Sequence, residues 1–155
     1  MAFLRPSPIV DPEAEIRGAH VYLRHPTMQD YAAWAELRAL SRTHLVPWEP
    51  QWARDELTRS NFRRRLRQYH RELRDDHGYA YLIFGDTDSK LIGGLNISNV
   101  RRGVAQTAAL GYWMGAPHVG RGLMTDAVRA TLRFVFGVLR PNRLEAACLP
   151  SHAAS

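Results

Sequence analysis

Gly120 and Gly122 flank Arg121 within GYWMGAPHVGRGLMTDAV, residues 111 to 128, where an aromatic strand pattern gives way to a helical one. A helix N-terminus presents unpaired N–H groups and about half a positive charge, and glycines without a Cβ let an anion come close to the main chain. Arg121 in the middle of the turn adds a charge-assisted partner for phosphate. The chemistry this spacing suits is the cradling of a pyrophosphate. A tight turn with no ligand is the plainer alternative, and these six residues alone do not separate the two. Neither G-x-x-x-x-G-K-[ST] nor G-x-G-x-x-G with an acid about twenty residues further on is present, which argues against ATP and NAD.

The turn needs a strand before it and a helix after it. QTAALGYWM, residues 106 to 114, is mostly apolar and predicts a strand buried on both faces. Leu123, Ala127, Thr131, Phe134 and Val138 recur at helical spacing, with Gly137 near the end. YAYLIFG (79 to 85) and KLIGGLNIS (90 to 98) predict a hairpin around the acidic turn DTDS, and VRRG (100 to 103) predicts the next turn.

Towards the N-terminus, HVYLRH (20 to 25) predicts a short strand. Thr27 and Asp30 form a capping box before a helix that ends near Leu40. HLVPWEPQW (44 to 52), with two prolines and two tryptophans, predicts an ordered loop. A long helix is expected from about Ala53, its apolar face made by Phe62, Leu66, Tyr69 and Leu73 and its arginines mostly elsewhere, closing at Asp75 to Gly78. PNRLEAACLP (141 to 150) predicts a last strand. The sum is one α+β domain with a mostly antiparallel central sheet flanked by helices.

At 155 residues and 45% hydrophobic content the chain suffices for a single core. The lone Cys148 excludes an internal disulfide framework and fits a reduced, cytoplasmic compartment. No run of eighteen apolar residues predicts a membrane span, and residues 1 to 17, rich in proline and acid, are expected to form a flexible arm ahead of a domain over 18 to 155. The net charge of +6 is concentrated as arginine between Arg54 and Arg74, a field that attracts phosphate-bearing partners without choosing among them.

The glycine turn resembles motif A of the GNAT acetyltransferase superfamily, [RQ]-x-x-G-x-[GA], with Gly122 on its invariant glycine. Val119 stands where the motif has Arg or Gln, and Met124 where it has Gly or Ala. HLVPWEP (44 to 50), NISNVRRG (96 to 103) and LGYWM leading to GRGLMTDAV are similar to the RimJ/RimL branch, the ribosomal-protein-alanine N-acetyltransferases, and the likeness covers roughly residues 18 to 155. It implies acetyl-CoA as cosubstrate and no metal. It also implies backbone contacts to the cosubstrate from Trp113 and Met114, and pyrophosphate contacts from the amides of Val119, Gly120, Arg121, Gly122, Leu123 and Met124. The Thr125 hydroxyl assists there or merely opens the helix.

The family reaction is direct attack of an amine on the acetyl thioester, and the sole cysteine gives no ground for an acyl-enzyme. An α-amine with pKa near 8 is about 10% neutral at pH 7, a cost of roughly 1.4 kcal/mol, whereas a lysine amine costs about 4.6 kcal/mol. A site poor in bases therefore suits a protein N-terminus. His118 in GAPHV is the nearest titratable group to the turn and is read as general base or as a surface histidine. Glu49 is read as a second candidate base or as gripping the acceptor's ammonium, Trp48 and Trp52 as walls of an acceptor pocket or in part core, and Asn96 and Ser98 as polar contacts on one strand face or simply the end of a strand.

The family pattern N-x-x-S, with serine as possible general acid, falls here on residues 152 to 155, with His152 for Asn and Ser155 last. Relatives continue beyond that serine with a closing helix and two strands, so the domain is expected to be incomplete and impaired in cofactor binding unless another chain supplies the remainder. Two other readings stand beside a protein N-terminus as acceptor. One is a small-molecule amine acceptor, and the other is a binding module that docks on ribosomal RNA through its arginine-rich helix.

Overall fold

The computed structural model describes residues 14–101, 107–139 and 143–147. Six strands form one sheet in chain order: β1 (Ile16–Arg17), β2 (Val21–Arg24), β3 (Tyr79–Gly85), β4 (Leu91–Arg101), β5 (Thr107–Met114) and β6 (Arg143–Ala147). Neighbours from β1 to β5 pair antiparallel, and β6 joins β5 in parallel, with Thr107 opposite Arg143 and Gly111 opposite Ala147. The parallel pair is the one that needs a helical crossover, supplied by α4 (Leu123–Phe134). The expected α+β sheet is thus present, and β1 adds to it two residues of the arm, with Ile16 buried in the core.

One sheet face packs on α4: Tyr79, Tyr81, Ile83, Leu95, Ile97 and Leu110 meet Met124, Ala127 and Ala130 in a continuous core. The other face carries α1 (Tyr31–Leu40) and α3 (Arg59–Arg74), where Trp34, Leu37, Phe62 and Leu66 meet Leu82, Phe84 and Leu91. Between these helices the chain turns through a short α2 (Arg42–Leu45) and a single 3-10 turn over Val46–Trp48, so the stretch read as a loop is helical in its first half.

Two further expectations shift. The long helix begins at Arg59, because the Thr58 side chain accepts the Asn61 N–H at 3.2 Å and caps it; residues 54 to 57 form turns instead. β5 is not buried on both faces: Ala108, Leu110 and Met114 are buried towards α4, whereas Ala109, Gly111 and Trp113 are half-open on the α1 and α3 side. At the other end the capping box holds, with the Thr27 N–H donating to the Asp30 carboxylate at 2.8 Å, and α1 ends at Leu40 as expected.

Candidate active site

β5 leads through Met114 into Gly115, whose N–H donates to the Ile92 carbonyl at 2.8 Å. Leu37 packs so closely on Gly115 that a Cβ there would collide with it. A 3-10 turn over Ala116–His118 follows, tied to α1 by the Ala116 N–H, which donates to the fully buried Ser41 hydroxyl at 2.9 Å. The chain then enters the glycine turn with both ends fixed.

Gly120 and Gly122 adopt φ of +75 and +73, the left-handed region that side chains rarely enter, and a Cβ built on either meets nothing within 4 Å. Backbone conformation, not crowding, therefore calls for glycine, and the space before the turn is open. Gly122 is the N-cap of α4, and its carbonyl accepts the Asp126 N–H at 3.1 Å. Among the described residues this is the first N–H after that of His118 to find a carbonyl. The amides of Val119 to Thr125 thus form an unpaired row at the positive end of a 12-residue helix. Arg121 beside them is exposed and has no ion pair among the described residues, Val119 and Thr125 are exposed, and Leu123 is half-buried. Met124, 3% exposed, roots the first helical turn in the core.

On the α1 and α3 side of the sheet a cavity of about 410 Å³ opens over β4 and β5, lined among others by Trp34, Glu49, Tyr69, Asn96, Gly111 and Trp113. The Trp113 indole lies across Gly94, where any Cβ would collide with Nε1. Arg38, 5% exposed, stands 4.8 Å from the ring centroids of both Trp52 and Trp113 and grips Glu49 with both terminal nitrogens, at 2.9 and 2.7 Å. Trp52 Nε1 donates to the same carboxylate at 2.8 Å. A second pair, Arg65 with Glu56 at 2.9 Å, also lines the cavity, with Arg65 5.5 Å from the Trp34 ring centroid.

Of the residues read as acceptor contacts, Asn96 and Glu49 line the cavity. The Glu49 carboxylate is, however, already held by Arg38 and Trp52 rather than free for an ammonium. Trp52 takes the buried seat, while Trp48 is 42% exposed and is not among the lining residues. That corrects its reading as a pocket wall: the 3-10 turn at Pro47 carries its indole outward. Ser98 shares the strand face of Asn96 but does not line the cavity.

His118 is buried, off the cavity, with neither ring nitrogen partnered, so it is not a surface histidine. Burial, then the charges of Lys90 and Arg121, push its pKa below the usual histidine range and favour the neutral ring. His152 and Ser155 lie outside the described residues.

The sequence reading missed Arg38 and a ring pair. His25 places Nδ1 2.7 Å from the Ala80 carbonyl and stacks on Tyr81 at 4.5 Å, leaving His25 Nε2 and the Tyr81 hydroxyl buried without partners. Burial pushes the Tyr81 phenol up and the His25 imidazole down. Arg38 was legible in principle: it follows Trp34 by four residues and Leu37 by one, on the stripe of α1 that faces the sheet.

The acetyltransferase (GNAT) domain family matches residues 20–155. The probable N-acetyltransferase YjcK of Bacillus subtilis (strain 168) is 31% identical over 140 residues, covering 90% of this chain and 77% of its own length. The [ribosomal protein uS5]-alanine N-acetyltransferase of Escherichia coli (strain K12) is 29% identical over 130 residues, covering 83% and 67%. Among solved structures, Mycobacterium smegmatis RimJ in complex with CoA-disulfide superposes with a TM-score of 0.78 at 29% identity, over 86% of this chain; this chain spans 65% of that one. The ribosomal-protein-S5-alanine acetyltransferase of Vibrio fischeri, at 24% identity, shares the fold with a TM-score of 0.81 over 91% of this chain and 77% of its own. With a family match running from β2 to the last residue, and a sheet whose order and helices superpose on solved relatives, this chain belongs to the GNAT acetyltransferase family.

Proposed function

We propose that the chain transfers the acetyl group of acetyl-CoA to the α-amine at a protein N-terminus, that of a ribosomal protein. The observation that carries this reading is the row of unpaired N–H groups from Val119 to Thr125 at the open glycine turn. These amides, with Arg121, suit the diphosphate of CoA, and the backbone of Trp113 and Met114 suits its pantetheine arm. Acetyl-CoA supplies the activated thioester. This chain's residues orient the acceptor, with Asn96 as a polar contact and Trp34 and Trp113 as rigid walls that exclude water. A new N–C bond forms as the C–S bond breaks, one proton leaves the amine, and the thiolate is protonated.

The acceptor class follows from what the cavity lacks. Both glutamates that line it, Glu49 and Glu56, are tied to arginines. Neither is a strong free base, so an amine that is already partly neutral at pH 7 fits best. The relatives named for a ribosomal-protein alanine act on that kind of amine.

Two measurements test the reading. A hundredfold excess of acetyl-CoA over its Kd should stabilise the chain by about 2.7 kcal/mol, raising Tm by roughly 5–10 °C for a chain of this size, and Gly122→Trp should abolish the rise. Mass spectrometry of a peptide with an N-terminal alanine and an internal lysine should then show acetylation at the α-amine alone. No melting shift overturns the cosubstrate, and acetylation of the lysine or of an amino sugar instead overturns the acceptor.

A further inference from the structure

Neither the glycine turn nor the cavity uses the outer face of α3. Its apolar residues Phe62, Leu66 and Leu73 are buried against the sheet. On the solvent side Arg63, Arg67 and Arg71 follow one another at intervals of four, with Arg59 before them and Arg74 after. Four residues of α-helix rise about 6 Å, so these five cations make a row about 22 Å long that winds around the solvent side of the helix. All five are exposed. Arg59 rests over the Tyr31 ring at 5.0 Å and Arg74 lies 3.6 Å from Asp75. Arg63, Arg67 and Arg71 have no ion pair or side-chain hydrogen bond among the described residues.

The pairing around the row is selective. Arg64 and Arg65, on the adjoining faces of the same helix, are neutralised by Asp55 at 2.6 Å and Glu56 at 2.9 Å, both from the turns before it. Acids are thus at hand, and the central row is left without them. Unpaired like charges at four-residue spacing destabilise a helix by a few tenths of a kcal/mol each, a cost the fold carries along this row.

We infer that this row docks on the phosphate backbone of RNA. Regular spacing over five positions matches a polymer of evenly spaced anions, not a single small ion, and arginine forks suit phosphate geometry. An anionic membrane is a poorer match, because an interfacial helix needs an apolar face free to enter the lipid, and that of α3 is committed to the core. The choice of RNA rests on the proposed acceptor, a ribosomal protein, which is presented among RNA phosphates. α3 also lends Phe62, Arg65 and Tyr69 to the cavity wall, so RNA held on its outer face would lie one helix diameter from the acceptor amine.

The test uses the full chain and an RNA hairpin with a stem of about 16 base pairs, with fluorescence anisotropy read between roughly 50 and 200 mM salt. Arg67→Ala/Arg71→Ala is compared with Arg129→Ala/Arg133→Ala, which removes the same charge from exposed positions on α4. Melting temperature and the acetyl-CoA shift are recorded for each protein. The α3 variant should bind RNA at least tenfold more weakly at the higher salt, with a salt slope smaller by about 1.5 to 2. The α4 variant should stay within twofold of the parent, and the acetyl-CoA shift should persist in both. Equal weakening in the two variants reduces the effect to net charge and overturns the inference. So does α3-dependent binding that is tighter to polyglutamate, or to vesicles of phosphatidylserine and phosphatidylcholine in equal parts, than to RNA. Loss of the acetyl-CoA shift in the parent with RNA binding intact would sink the acetyltransferase reading and leave the docking row standing.

Discussion

The guanidinium of Arg38 holds the carboxylate of Glu49 through both terminal nitrogens, with side-chain exposures of only 6% and 13%. Stacked near both Trp52 and Trp113, this cation joins α1, the segment after α2 and the end of β5. Glu49→Gln leaves a buried guanidinium without its counter-charge and is expected to cost about 3–5 kcal/mol in urea unfolding. Adding Arg38→Met should restore part of the loss. A double variant less stable than Glu49→Gln would show that the two charges are not coupled.

Gly94→Ala places a methyl group where the Trp113 indole now rests. The ring must swing into the cavity, and the overpacking should cost roughly 1–3 kcal/mol. Acceptor KM is expected to rise at least fivefold while the acetyl-CoA melting shift persists, since Val119 to Thr125 lie beyond the affected wall. An unchanged KM would place acceptor binding elsewhere.

Two histidines, the buried His118 and the half-buried His25, set an acid limit on stability. Burial, assisted for His118 by Lys90 and Arg121 and opposed for His25 by its bond to Ala80, holds both below the ordinary 6.5. The unfolded chain therefore takes up these protons first. Their contribution is complete above about pH 6.5 and is lost as pH falls through the lower folded values. The urea midpoint should drop between about pH 7.5 and pH 5.5, and His118→Gln should flatten that drop whatever its effect at neutral pH. An unaltered slope would mean that His118 does not change its protonation between the two states.

Elements with a clear pattern were legible in the sequence, because the continuous apolar run along Tyr79–Gly85 and four-three-four spacing along α3 report burial directly. The start of α3 was misread because Glu56 and Leu57 are good helix formers; the cap at Thr58 overrides them, and its side chain was the local signal. β1 escaped because two residues carry no periodicity, and what holds Ile16 is pairing with Leu23. Trp48 and Trp52 look alike in sequence, and only the direction of the intervening turn decides which is buried. The cavity was half legible. Asn96 follows from strand alternation, but the convergence of Arg38, Trp52 and Trp113 comes from three separate elements, and no local pattern encodes it.

Asp126 does two things at once: its N–H closes the glycine turn on Gly122, and its carboxylate accepts the N–H groups of Ala19 at 2.9 Å and His20 at 2.7 Å. Every partner in that latch precedes β6 in the chain. During synthesis the first hairpin therefore has its anchor available as soon as α4 has emerged, after a loop closure of 107 residues. β6 then adds itself, as the lone parallel strand, to the edge of a sheet whose other end is already fastened.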